Sequence, residues 1–252
     1  MDVVIGNRAA NLAKALRMTE HAIGQGAELI VLPEVFSTGF CYDNIAEMAE
    51  RYPYPSLGPF IELSATHDCI ITGSIIGCKE REGKHFENVG FCLSGGEIRG
   101  TYSKTHPFKK ENAYFSRGES ICVIAVPEKN LTIGLEICYE LRFPEVARKL
   151  VLQGADILIT VAQFPDPGGG QWKVLSRSRA IENQLPHIVC NRTGHDGDTS
   201  FFGNSMIIDA RGDVVAAAGR EETVLVGETD LALSSEMRSL IPVFGDRREE
   251  LY

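Results

Sequence analysis

The sequence predicts a layered α/β domain in which two β-sheets pack as a sandwich and helices cover them. Helical patterns alternate with short, continuously apolar runs that read as buried strands. Two turn sequences, Ser94-Gly95-Gly96 and Arg211-Gly212-Asp213, join strand candidates into hairpins, so the sheets include antiparallel pairs. No repeat, low-complexity tract or linker divides the 252 residues, and 25 Gly with 11 Pro suffice for turns but not for a linker-rich chain. Residues 1–252 are therefore expected to form a single domain.

The elements follow in order. Asn7 can cap a helix running to Ala22 and Ile23, with Leu12, Leu16 and Ile23 on one face and Gly24 and Gly26 ending it. The apolar run 29–32 then stops at Pro33-Glu34, a buried strand with a carboxylate at its end. Strands are predicted at 69–76, 88–93 and 97–103, then at 121–126 and 131–138. Pro144 in a first turn introduces a helix over 145–153, followed by a buried strand at 156–162 and a helix at 172–184. Further strands are expected at 187–192, 204–210, 214–218 and 224–230, about a dozen in all.

Composition excludes several classes. With 44% hydrophobic and 23% charged residues, the chain can bury a large core without disulfide or metal staples. Lys plus Arg number 25 against 34 Asp plus Glu, a net charge of −9, and no basic run exceeds the pairs Lys109-Lys110 and Arg247-Arg248. Nucleic acid is not an expected partner. No apolar stretch approaches the roughly 20 residues that span a bilayer, so no membrane association is expected. The start, MDVVIGN, has no basic segment leading an apolar core, so it does not read as a secretory signal. Seven scattered cysteines with no CxxC pair fit a reduced, cytoplasmic compartment. Gly168-Gly169-Gly170 lacks the Lys-Ser or Lys-Thr of a phosphate loop, there is no GxGxxG or GxSxG, and the six histidines form no HExxH. Neither a metal nor a cofactor is expected.

Three residues stand at strand ends. Cys138 closes an apolar run just before a helix, where a side chain is presented at a sheet edge. By position alone it reads either as a nucleophile or as one more buried structural cysteine. Glu34 and Lys104 each terminate a largely apolar strand, and each reads either as a surface charge or as a buried group needing a partner.

The segments LPE at 32–34, YSKTHPF at 102–108, GLEICYELRFPE at 134–145 and RAIENQ at 179–184 strongly resemble the nitrilase superfamily of carbon–nitrogen hydrolases. The likeness continues through NRTG at 191–194, GNSMIIDARGDV at 203–214 and DRREELY at 246–252, and it is closest to the Nit/ω-amidase branch. Order and spacing together make the match specific. It implies a four-layer αββα sandwich, commonly dimeric or more highly assembled, with a catalytic Glu34, Lys104 and Cys138. Glu111 would help position the site, with a structural ion pair to Lys104 as the alternative. Lys104 and the Tyr139 backbone N–H would face the oxyanion, with Lys104 also favouring the thiolate. A small linear ω-amide of a dicarboxylic or α-keto acid is the implied substrate, and an N-carbamoyl amine or nitrile the runner-up. A thiol redox sensor and a non-catalytic binding protein are the readings from other classes.

Phe40, Tyr42, Gln163 and Phe164 lie where the family's substrate loops fall, although core packing explains them equally. Arg142 could bind a substrate carboxylate or pair with Glu145. Three positions depart from the family pattern. Glu140 stands where many relatives have Asp, and Asn204 where several have His. Relatives also carry a strand before the segment where this chain starts, so a sheet edge is expected to lack a neighbour or to find it upstream.

Overall fold

Asn7 starts the first helix as expected, its Oδ1 accepting the Ala10 N–H. Helix α1 (Arg8–Gly24) buries Asn11, Ala15, Thr19 and Ala22, while Leu12, Leu16 and Ile23 pack partly exposed beside them. Small side chains at the contact let the helix sit close to the sheet. The computed structural model describes residues 1–79 and 86–251; His85 and Tyr252 of the sequence reading lie outside them.

After α1 come β1 (Leu29–Val31), α2 (Ile45–Met48), α3 (Gly58–Thr66), β2 (Ile70–Cys78), β3 (Phe86–Ser94) and β4 (Glu97–Ser103). These strands form one sheet in the order β1-β2-β3-β4. Gly95 and Gly96 both take positive φ in the β3–β4 turn, the conformation a tight hairpin demands. Then follow β5 (Ile124–Val126), β6 (Leu131–Ile137), α4 (Pro144–Leu152), β7 (Ile157–Ala162), α5 (Gly169–Asn183), β8 (His187–Asn191), β9 (Thr193–Asp196), β10 (Thr199–Phe202), β11 (Met206–Ile208), β12 (Val214–Ala217) and α6 (Ala232–Leu240). A second sheet runs β12-β11-β8-β7-β6-β5, and β9 with β10 make a separate hairpin.

Alternation along the strands builds the layers. Phe91 and Leu93 of β3 face α1 and α3, whereas Cys92 joins Leu135 and Ile137 of β6 in the core between the sheets. A Cβ at Gly90 would lie 2.6 Å from Leu135 Cδ2, so the absence of a side chain there lets the sheets meet. On the other side, Leu158 packs with Val146, Leu150 and Val151 of α4. The result is helices, sheet, sheet, helices: the four-layer αββα sandwich.

Pairing directions set the position of the site. β1 is parallel to β2, and two antiparallel steps bring β4 parallel to both. β6, β7 and β8 are mutually parallel. The C-terminal ends of β1 and β4 therefore share one edge of the first sheet, and those of β6, β7 and β8 share one edge of the second.

One expected strand is absent. Residues 224–230 pair with no neighbour, and 224–229 line a cavity of about 690 Å³ whose walls also include β1 and the end of α1. β1 is hydrogen-bonded to another strand only on its β2 side. An apolar run becomes a strand only where a backbone lies beside it, and none lies between these two. The β9–β10 hairpin and helices α2, α3 and α6 were not predicted from sequence; α3 opens on Gly58-Pro59, which reads as a turn rather than a helix start. No helix among the described residues is long and apolar enough to cross a membrane.

Candidate active site

Glu34 follows β1, Lys104 follows β4, Cys138 follows β6 and Gln163 follows β7, so the strand ends of both sheets converge. Glu34 is 0% and Lys104 1% exposed, far below what a surface charge would show. Their partnership explains that burial. Lys104 Nζ donates to Glu34 Oε1 at 2.8 Å and to Glu111 Oε1 and Oε2 at 3.1 and 2.8 Å. An ammonium between two carboxylates satisfies its donors without water. Glu111, buried in the 3-10 turn Lys109–Ala113, is thus brought to Lys104 as expected.

Three donors hold the Glu34 carboxylate in place. Oε1 also accepts from Asn88 Nδ2 at 2.8 Å, and Oε2 accepts the Gln163 backbone N–H at 2.9 Å. The Gln163 side chain returns to the Glu34 carbonyl at 2.7 Å, and its own oxygen accepts from Arg192 Nη1 at 2.9 Å. Arg192 is itself buried, reaching the carbonyls of Val3 and His195 with its guanidinium 4.2 Å from the Phe201 ring centroid. Gln163 therefore orients Glu34, and its side chain is spoken for rather than free for substrate. Asn88 and Arg192 were not singled out from the sequence; a polar residue inside a buried strand was the signal for Asn88, and the NRTG segment the signal for Arg192.

Cys138 occupies the left-handed region, φ 51°, at the head of the 3-10 turn Cys138–Arg142. Such a conformation is strained for a residue with a side chain and persists where surroundings enforce it. Glu140 enforces it. Its Oε2 accepts the Ile137 N–H at 2.7 Å, and its Oε1 accepts the Tyr102 hydroxyl at 2.6 Å and the Thr105 N–H at 2.7 Å. These bonds outweigh burial and hold the Glu140 carboxyl below its ordinary range. Glutamate in place of the family's aspartate reaches every donor. Tyr139 is the second residue of the turn, so its N–H has no acceptor within the turn.

Charge around the sulfur runs against a resting thiolate. Burial first, then Glu34 and Glu111, push the Cys138 thiol well above its ordinary value; Lys104 and the Gln163 N–H pull the other way. Lys104 favours the thiolate, as expected, but burial and the two carboxylates outweigh it. Burial alone would lower the ammonium pKa, yet Glu34 and Glu111 together raise it, so Lys104 stays charged. No group of three His, Cys, Asp or Glu suited to a metal occurs among the described residues.

The pattern of the carbon-nitrogen hydrolases matches residues 1–239. This chain belongs to that family. The hydrolase is 35% identical over 254 residues to the 2-oxoglutaramate amidase of Bacillus subtilis, covering 100% of this chain and 96% of the relative. It is 29% identical to human omega-amidase NIT2, covering 97% and 92% of the two chains. Among solved structures, Nit3 of Saccharomyces cerevisiae, from branch 10 of the nitrilase superfamily, superposes with a TM-score of 0.90 at 28% identity, covering 98% and 93%.

The remaining expected residues are distributed around the hydrolase's core. The Phe40 ring lies 6.0 Å from Lys104 Nζ and stacks on Tyr42, which Lys110 covers at 4.5 Å. Phe164 is buried against Trp172 and Phe202, so it serves packing on one face. On another it carries the Arg142 guanidinium at 4.9 Å. Arg142 donates to Gln171 at 2.8 Å and makes no ion pair with Glu145. The helix-entry pairing is thus replaced by a contact beside the site.

Proposed function

We propose that this hydrolase cleaves small linear ω-amides of dicarboxylic or α-keto acids, with Cys138 as nucleophile and Glu34 as general base and acid. The observation that carries the reading is the buried Glu34–Lys104–Glu111 cluster whose charges act on the Cys138 sulfur. Amidase relatives at this identity, named for 2-oxoglutaramate and ω-amides, support the substrate class.

The chemistry follows from the proton positions. Because the thiol holds its proton at rest, Glu34 removes it as sulfur bonds to the amide carbon, and the carbonyl electrons move onto oxygen. Lys104 and the Tyr139 N–H stabilise that oxyanion. Its collapse breaks the C–N bond, Glu34 returns the proton to nitrogen, and ammonia leaves a thioester. Glu34 then takes a proton from water as the hydroxyl adds, the C–S bond breaks, and the thiol is restored. Glu111 positions Lys104 throughout.

Ammonia release should be measured with α-ketoglutaramate, α-ketosuccinamate, glutamine, asparagine, N-carbamoyl amino acids and simple nitriles. The two keto-acid amides should turn over fastest. Preference for a nitrile or N-carbamoyl compound would overturn the substrate class.

Arg142 has guanidinium donors beyond the one given to Gln171, and it flanks the strand end that carries Cys138. Arg142→Ala should raise KM for carboxylate-bearing amides by about tenfold or more, with kcat and simple-amide hydrolysis little changed. Equal losses on both substrate types would remove Arg142 from carboxylate binding.

Burial, reinforced by the Glu34 charge and opposed by Lys104, pushes the Glu111 carboxyl up to about 7. Below that pH Glu111 takes up a proton and loosens its hold on Lys104, so kcat/KM should fall as pH drops through about 7. Glu111→Gln should lose about a hundredfold at pH 8 and show no limb there. An unchanged limb in the variant would assign it elsewhere.

We further read residues 1–252 as one domain acting in the cytoplasm as a homodimer or larger assembly. All seven cysteines are free, which fits a reducing compartment. Val174 and Ile181, seven residues apart on α5, are exposed apolar side chains on one helix face, which suits an isologous contact.

A further inference from the structure

Beneath the strand that presents Cys138 lies a second buried ionisable chain that the proposed reaction does not use. Ile133, Leu135 and Ile137 of β6 face the other sheet, so Glu136 faces the outer side, between β6 and α5. It is 0% exposed. Thr160, opposite Glu136 in the β6–β7 register, has its hydroxyl 2.7 Å from Glu136 Oε1 and 2.7 Å from His187 Nε2. His187 Nδ1 lies 3.0 Å from the Ser176 carbonyl of α5. One line of hydrogen bonds thus crosses β6, β7, β8 and the covering helix.

Counting protons leaves two arrangements. The Ser176 carbonyl only accepts, so His187 Nδ1 carries a proton. Thr160 has one proton to give. If it goes to Nε2, the imidazole is neutral and Glu136 must donate to Thr160 as a carboxylic acid. If it goes to Glu136, the carboxylate is charged and His187 must be an imidazolium. Two features favour the first. Glu136 Oε2 is buried with no partner, tolerable for an acid carbonyl but costly for a carboxylate. Arg179, the nearby cation on α5, is committed to the Leu141 carbonyl and to Glu182.

We infer that Glu136 is a positioning residue held as a neutral carboxylic acid, whose proton ties together the strands that end at Cys138, Gln163 and Asn191, and whose ionisation loosens the site. The inference rests on the proposed use of Cys138. Charged and titratable groups bearing on Glu136 are Arg179 and Glu182 of α5, Glu140 beyond β6, His187 of β8 and Tyr102 of β4. Burial pushes Glu136 up to about 7 and His187 down to about 4, in keeping with the neutral pair. A carboxyl raised in the folded state ionises more readily when unfolded. Its contribution to stability is therefore fully present below about 4.5, is lost as pH rises to about 7, and is level above.

Glu136→Gln supplies an amide donor to Thr160 without an ionisable proton. The variant should match the parent's kcat/KM at pH 6, where both lie on the Glu111 limb, exceed it severalfold at pH 8.5, and melt several degrees higher than the parent at pH 8.5. Infrared difference spectra should show a protonated-carboxyl band in the parent at pH 6 that persists in Glu111→Gln and is lost in Glu136→Gln. His187→Gln, which keeps an acceptor for Thr160, should preserve that band and serves if the first variant does not fold. A missing band in the parent, or pH profiles of activity and melting identical in parent and Glu136→Gln, would overturn the inference. Cys138→Ala, whose activity reports on the nucleophile assignment alone, should keep the band and the pH dependence of melting, so the two readings fail separately.

Discussion

Cys138→Ala is expected to lower kcat/KM for amide hydrolysis by at least about 10⁴-fold, with no acyl adduct on the protein. Alanine keeps the methylene and places no larger group in a pocket where Cys138 is 7% exposed. Its backbone at φ 51° is strained for alanine as for cysteine, so the fold should survive with a loss of about 1 kcal/mol. Intact-mass analysis after rapid mixing should find an adduct on the parent alone, with similar circular dichroism for both. Near-parental ammonia release by the variant would reject nucleophilic catalysis at this position.

Glu34→Gln should cost about 10³-fold or more in turnover, and it should slow formation and breakdown of the thioester alike. Both Glu34 oxygens accept: Lys104 and Asn88 on Oε1, the Gln163 N–H on Oε2, where one lone pair is left to take a proton. An amide nitrogen at either place meets a donor head-on. Removing the charge also leaves Lys104 with Glu111 as its sole carboxylate, so the variant should lose about 3 kcal/mol of stability. Single-turnover kinetics with denaturant melts would check both halves. Acylation at the parental rate would show that another group takes the thiol proton.

Much of this site was legible before any coordinates because its charged members break the apolar pattern of strands. Glu34 and Lys104 each end a run that would otherwise read as core, and Cys138 stands where such a run turns into a helix entry. The bracing was harder to read. Gln163, Asn88 and Arg192 act through backbone carbonyls and side-chain amides, and nothing in their spacing distinguishes an amide that orients a carboxylate from one that meets water. Glu140 was visible only as a departure, although the four elements it links make it a hub of the Cys138 turn. Arg142 and Glu145 have helix-pair spacing, yet Phe164 and Gln171 claim the arginine from a distant segment.

The strands tell the same story. Strands at 29–32, 97–103 and 131–138 follow from alternation or unbroken apolarity, which local sequence carries. Residues 224–230 have the pattern but no adjacent backbone, and pairing is a property of two segments rather than one.

Glu34 and Lys104 belong to one sheet, Cys138 and Gln163 to the other, and Arg192 ties the second to the carbonyl of Val3. Neither half of the sandwich owns the reaction. A slip of an ångström between them would part base from thiol before it exposed appreciable apolar surface, so heat or denaturant should silence the enzyme ahead of the gross transition, and ammonia release is a finer gauge of inter-sheet alignment than any bulk spectroscopic signal.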